Sequence, residues 1–321
     1  MNQPKKKNKL RSVLKWILWV FVAQIVLINI SGVFYGYKLT HFYESSRTPS
    51  TYSKNIFTKT WKLFTGPVFR KTAETGIPDF PYEVVQLKTK KNNELQAWYI
   101  PVDSSKGTVI LFHGLGSNKT SMLDEAYEFR HLGYNTMLVD LRAHGNSSGN
   151  TTTIGVRESE EVKLAYDHVL RKGEKNIILY GLSLGAVVVA KSIYDYGITP
   201  AKIILDAPFA SLRDHLRARA RVLGFPSEPF ATIVTFWAGA EHGFNGFRHT
   251  TCRYAEKITC PVLLQYGVLD KLVLPTETNS IFEHIASPDK KLVSYEMAGH
   301  QSFLRNDPLQ WRKEIEEFLR K

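Results

Sequence analysis

Residues 181–185 read GLSLG and join an apolar run, NIILY, to a run of small residues, AVVVA. A serine between two glycines, where a strand turns sharply into a helix, has its hydroxyl lifted clear of the sheet edge; the turn leaves no room for Cβ atoms on either side. Ser183 is therefore a candidate nucleophile. A serine hydroxyl is weak at neutral pH and needs a base within hydrogen-bond reach. Ten histidines are available. His300, in MAGHQSF, follows the last apolar strand and precedes the last helix, so its loop should open on the same edge as Ser183. The base in turn needs an acid that fixes its tautomer and stabilises the imidazolium. Asp270 ends PVLLQYGVLD and takes that place. Asp206, in ILDAPF, satisfies the same positional logic and is the runner-up, ordering of its own turn being its other reading.

Acyl transfer also needs donors for the developing oxyanion, each worth about 3 kcal/mol. The backbone N–H of Leu184, just after the serine, is one. The N–H of Leu115 in HGLGSN is the second. His113 reads as a brace for that loop, and Arg142 and His144 in DLRAHGNSSG as residues that knit the next loop beneath the site.

These residues must be carried by an alternating scaffold. EVVQLKT and LQAWYIPV read as an antiparallel pair, and from GTVILFHG onward short apolar strands alternate with helical segments. That rhythm predicts an α/β protein, with eight strands in a mostly parallel sheet covered on both faces. In such sheets ligands bind beyond the carboxyl ends of the strands, where Ser183, Asp270 and His300 all fall. The alternation lapses over residues 209–255, which read as a short helical lid. Its Phe209, Phe225, Phe230, Phe236 and Trp237 suggest an apolar acyl pocket. Its Arg213, Arg217, Arg219 and Arg221 suit lipid phosphates or a solvated helix face.

HGLGSN, DLRAHGNSSG, GLSLG, TCPVLLQYGVLDKLVLP and AGH together resemble the α/β-hydrolase superfamily, in particular its lysophospholipase, monoacylglycerol-lipase and serine-aminopeptidase-like branch. The chain order Ser, Asp, His is the order of that fold. The resemblance covers residues 82–321. It implies ester hydrolysis through an acyl-enzyme on Ser183, His300 and Asp270, with Leu115 and Leu184 at the oxyanion and no metal or organic cofactor. One departure is Ala143, where related spellings carry glycine.

The front of the chain differs in character. Residues 1–15 hold Lys5, Lys6, Lys7, Lys9, Arg11 and Lys15 without an acid, half of the +12 net charge. Residues 16–37, WILWVFVAQIVLINISGVFYGY, hold no charge and as a helix would run about 33 Å, enough for a ~30 Å hydrocarbon core. A signal peptide is the rival reading; the run is too long for one and no clean cleavage site follows. The lysine asymmetry predicts an uncleaved signal anchor with its N-terminus in the cytoplasm and the remainder on the extracytoplasmic side, periplasmic or lumenal. The domains expected are a cytoplasmic tail (1–15), a transmembrane anchor (16–37), a juxtamembrane linker (38–80) and the hydrolase domain (81–321). No nucleic-acid motif accompanies the basic balance. Cys252 and Cys260 are the only cysteines and suit either one disulfide or two separate thiols. Asn118, Asn146 and Asn150 head glycosylation triplets that are expected to be unused.

The function expected is thus a membrane-tethered serine hydrolase acting on a small-molecule or lipid ester. An acyltransferase on the same triad, or a silent hydrolase fold used for binding, are the alternatives.

Overall fold

The structure, a computed structural model, describes residues 6–43, 57, 61, 65–66, 68–224 and 226–321. The first five residues of the basic tail, much of the expected linker and Phe225 lie outside them.

Ten strands are formed among the described residues. β1 (Phe42–Tyr43) and β2 (Phe69–Arg70) make a small parallel pair. The main sheet comprises β3 (Glu83–Lys88), β4 (Glu94–Ile100), β5 (Thr108–Phe112), β6 (Asn135–Val139), β7 (Ile177–Leu182), β8 (Lys202–Asp206), β9 (Val262–Gly267) and β10 (Lys290–Tyr295), in the order β10-β9-β8-β7-β5-β6-β4-β3. β3–β4 and β4–β6 pair antiparallel; every other pair is parallel. The sheet is eight-stranded and mostly parallel, as the alternation of the sequence requires.

Helices cover both faces because the central strands are apolar on both. Leu179 of β7 joins the core beneath α3 (Ser159–Arg171) and α4 (Leu184–Tyr196), with Val162, Val187 and Val188. Its neighbours Ile178 and Tyr180 point the other way, into a core with Phe129 of α2 (Leu123–His131) and Trp311 of α10 (Pro308–Arg320). The period-two geometry of a strand produces this division. β3 sits at the edge and alternates exposed with buried residues instead.

Between β8 and β9 the chain forms α5 (Leu212–Leu223), α6 (Phe230–His242) and α7 (Thr251–Ala255). After β9 come α8 (Pro275–His284) and, past β10, α9 (Phe303–Asn306).

The N-terminal helix α1 (Lys6–Thr40) is long and apolar enough over Lys9–Thr40 to cross a membrane. Most of its large apolar side chains between Leu10 and Ile30 are exposed. Its last turns bury one face: Tyr35 and Leu39 enter the core beneath α3 and α4, while Val33, Phe34 and Tyr37 stay exposed. Gly32 lies so close against Ile233 and Trp237 of α6 that a Cβ there would fall 2.5 Å and 3.0 Å from them. The Trp237 indole N–H donates to Asn29 Oδ1 at 3.1 Å. The sequence reading treats residues 16–37 as one apolar run; the structure divides that run into a free part and a part docked on the lid. Small residues that let helix backbones approach are the physical reason for the docking.

Candidate active site

Ser183 stands between β7 and α4 with φ 53° and ψ −111°, a conformation rarely adopted by L-residues and favoured only where the surroundings impose it. The surroundings do impose it. A Cβ on Gly185 would run into the Phe112 carbonyl oxygen, and one on Gly181 into the Ala186 backbone nitrogen. The two glycines therefore let the first turn of α4 press against β5, and the serine at the apex is the residue that projects. The Ser183 N–H still completes the β7–β8 ladder, donating to Asp206 O at 2.7 Å.

His300, in the loop between β10 and α9, places Nε2 2.9 Å from Ser183 Oγ and Nδ1 2.7 Å from Asp270 Oδ2. A carboxylate can only accept, so Nδ1 carries the proton and Nε2 offers its lone pair to the hydroxyl. Asp270 Oδ1 is held by the N–H groups of Leu272 at 2.7 Å and Val273 at 2.9 Å. Asp270 is 3% exposed and the His300 side chain 22%, so the carboxylate is dry while the imidazole can meet a substrate.

Asp206 is directed elsewhere. It accepts from Tyr180 Oη and from Gln265 Nε2 at 2.7 Å, and burial pushes its carboxyl up to about 7. It belongs to a polar chain under the sheet edge that continues through Gln265 to Tyr295.

The loop after β5 runs alongside the serine: a Cβ on Gly114 would stand 3.6 Å from Ser183 Cβ. Leu115 is the next residue in that loop, and Leu184 opens α4, where the first N–H groups have no acceptor within the helix.

Comparison with known proteins bears on this arrangement. The family profile described as serine aminopeptidase, S33, matches residues 103–235. An uncharacterized protein, YqkD, of Bacillus subtilis is 26% identical over 70% of this chain and 75% of its own length. The lysophosphatidylserine lipase ABHD12 of Danio rerio is 23% identical over 88% of this chain and 74% of its own. Among solved structures, the Pyrococcus furiosus esterase Pf2001 superposes with a TM-score of 0.65 at 26% identity, covering 78% of this chain and 96% of the esterase. The chain has the α/β-hydrolase fold, and its likenesses lie within that superfamily. It is a serine ester hydrolase of the esterase and lipase kind.

In this hydrolase the loops beneath the serine are held by two neutral histidines. His113 Nε2 accepts the Leu141 N–H at 3.1 Å, and its Nδ1–H donates to Gly114 O at 2.8 Å. His144 Nε2 accepts the Gly116 N–H at 3.0 Å, and its Nδ1–H donates to Arg142 O at 2.8 Å. Burial is the main cause that lowers them, to about 4 and about 3 respectively.

Two buried ion pairs support the same loops. The Lys119 ammonium, fully buried, meets Asp140 Oδ2 at 2.6 Å, Gln96 Oε1 at 3.0 Å and Glu74. Arg142 pairs with Glu161. Sequence reasoning missed Lys119 altogether, because a lysine inside a polar loop looks like a solvated one. Its only signal was position, directly after HGLGSN. Asn118, beside it, is buried and bonded to Thr72 O, Ala73 O and Thr120, so its triplet offers no glycosylation site.

The lid departs from expectation. Among the described residues, its aromatic side chains have separate surroundings. Phe209 is buried below α5; Phe230 packs edge-on against Tyr35 of α1 with ring centroids 4.8 Å apart; Trp237 packs on α1; Phe236 is 53% exposed. Phe230 and Trp237 thus serve the contact between the lid and α1. Cys252 and Cys260 are both free, and burial pushes the Cys260 thiol up to about 12. Among the described residues, His41, Glu241 and His242 bring possible metal-ligating atoms within 4.8 Å of one another, where the ends of α1 and α6 meet and apart from Ser183, His300 and Asp270.

Proposed function

We propose that the chain is a membrane-tethered hydrolase that cleaves carboxylic esters of lipids or lysolipids through an acyl-enzyme on Ser183, His300 and Asp270. The observation that carries this reading is the unbroken path from Asp270 Oδ2 through His300 to Ser183 Oγ, in steps of 2.7 and 2.9 Å. These are hydrogen-bond distances that let a proton pass as the hydroxyl attacks.

His300 Nε2 takes the Ser183 proton while Oγ adds to the ester carbonyl. The Leu115 and Leu184 N–H groups receive the oxyanion. His300 then protonates the leaving alcohol, the carbonyl re-forms, and an acyl-serine remains. Water, deprotonated by the same nitrogen, releases the acid and restores the hydroxyl. Asp270 stays ionised throughout and keeps the imidazole in the reactive tautomer.

A lipid ester is supported by the apolar α1, by its docking on the lid, and by similarity to a relative named as a lipase for lysophosphatidylserine. The anchor reading places the N-terminus in the cytoplasm and the hydrolase domain across the membrane, on the strength of the lysine asymmetry. Labelling with a fluorophosphonate tests the site: wild type should be labelled, Ser183→Ala should not, and His300→Ala only slowly. Labelling that persists in Ser183→Ala would end the proposal. A C-terminal reporter that is active only in the cytoplasm should stay silent; activity would reverse the orientation.

A further inference from the structure

The inner face of α5 carries Leu212, His215 and Leu216, all buried, and then Arg219 one turn beyond His215. The other arginines of this helix find carboxylates. Arg213 and Arg217 donate to Glu228 at 3.0 and 2.8 Å, and Arg221 lies 3.8 Å from Glu277. Arg219 has no carboxylate within ion-pair distance among the described residues. Its Nε–H donates to His215 Nε2 at 2.9 Å, its guanidinium lies 5.0 Å from the Phe69 ring centre, and Tyr35 is within electrostatic reach.

His215 cannot neutralise it. Burial, and the nearby Arg219 and His300, drive that imidazole well below its ordinary range, so it accepts as a neutral ring. Arg219 thus keeps a full positive charge in protein surroundings, yet retains accessible surface. A partly exposed guanidinium without a carboxylate can still meet an anion from outside the protein. The hydrogen-bond partner of Arg219, His215, packs 4.9 Å from the Phe209 ring, three residues past the end of β8, which puts this stretch of α5 near the carboxyl ends of the strands. A partly buried charge that no carboxylate balances is unfavourable until an anion arrives. With Nε engaged by His215, the two Nη ends remain for a forked contact with phosphate oxygens.

We propose that Arg219 receives the phosphate of an anionic lysolipid headgroup, and so sets a preference for charged over neutral single-chain esters. This rests on the function proposed above and adds the substrate class.

The test compares oleoyl lysophosphatidylglycerol with monooleoylglycerol, using the full chain in detergent. Wild type should favour the phosphate-bearing ester. In Arg219→Gln the ratio of kcat/KM for the two esters should fall about tenfold or more, chiefly through KM, as expected for loss of a charged hydrogen bond. Arg219→Lys should fall between. An unchanged ratio overturns the inference and leaves the triad reading standing. Without lipid, Arg219→Gln should melt no lower than wild type, since it removes an unpaired charge; a clear fall would mark the guanidinium as structural. Inorganic phosphate that competes against the neutral ester in wild type, but not in Arg219→Gln, would assign the site to a free anion and overturn the headgroup source. Should wild type hydrolyse neither ester, the triad reading fails on its own. Arg219 is then judged by whether lysophosphatidylglycerol raises the melting temperature of Ser183→Ala but not of Ser183→Ala/Arg219→Gln; equal rises refute it.

Discussion

His144 Nε2 accepts the Gly116 N–H at 3.0 Å, and through that bond a residue of one loop fixes the backbone of another beside the serine. The contact requires a neutral ring. Unfolded, a histidine titrates near 6.5; in the fold His144 and His113 are lowered to about 3 and about 4. Between pH 6.5 and about 4 the unfolded chain therefore takes up protons that the folded chain refuses, and stability is lost as pH falls through that window. Replacing His144 by glutamine removes its share. Thermal melts from pH 7 to 4 should show the gap between wild type and His144→Gln narrowing as acid is added; a constant gap would refute the neutral brace.

Ala143 lies next to that histidine with φ 62°. A non-glycine residue in this left-handed region costs about 1 kcal/mol. Ala143→Gly should relieve the strain at some cost in unfolded-chain entropy, for a net gain of about 0.5 kcal/mol. A melting temperature raised by a degree or two, with ester turnover retained, is the expected result. A lower melting temperature would show that the methyl group packs better than its backbone suffers.

The Lys119–Asp140 pair is buried on both sides. Removing one partner strands the other, a loss of about 3–5 kcal/mol. Lys119→Met should lower the melting temperature by on the order of 10 °C. Because Asp140 also accepts the Lys119 and Asn146 N–H groups, adding Asp140→Asn should recover part of the loss. Additive losses would mean that the two residues act independently.

Much of the architecture was legible because the signals are local. The elbow announces itself through Gly181 and Gly185, whose Cβ atoms would have collided with Ala186 and Phe112. The central strands announce themselves as short, largely apolar runs. The choice between Asp206 and Asp270 was not legible to the same degree: both end strands, and only the three-dimensional direction of the side chain sends one to Tyr180 and the other to His300. The docking of α1 on α6 was not read at all, because an apolar face that meets lipid and one that meets another helix have the same composition. Gly32 was the available sign. The four arginines of α5 look alike in sequence, and only the positions of Glu228 and Glu277 separate Arg219 from the rest.

The most direct test of the central claim is to trap the covalent intermediate. Wild type mixed with an activated long-chain ester and quenched in acid within milliseconds should carry one acyl group, mapped by mass spectrometry to the peptide containing Ser183, and Ser183→Ala should carry none. An acyl group on another residue, or undiminished turnover by Ser183→Ala, would contradict the account.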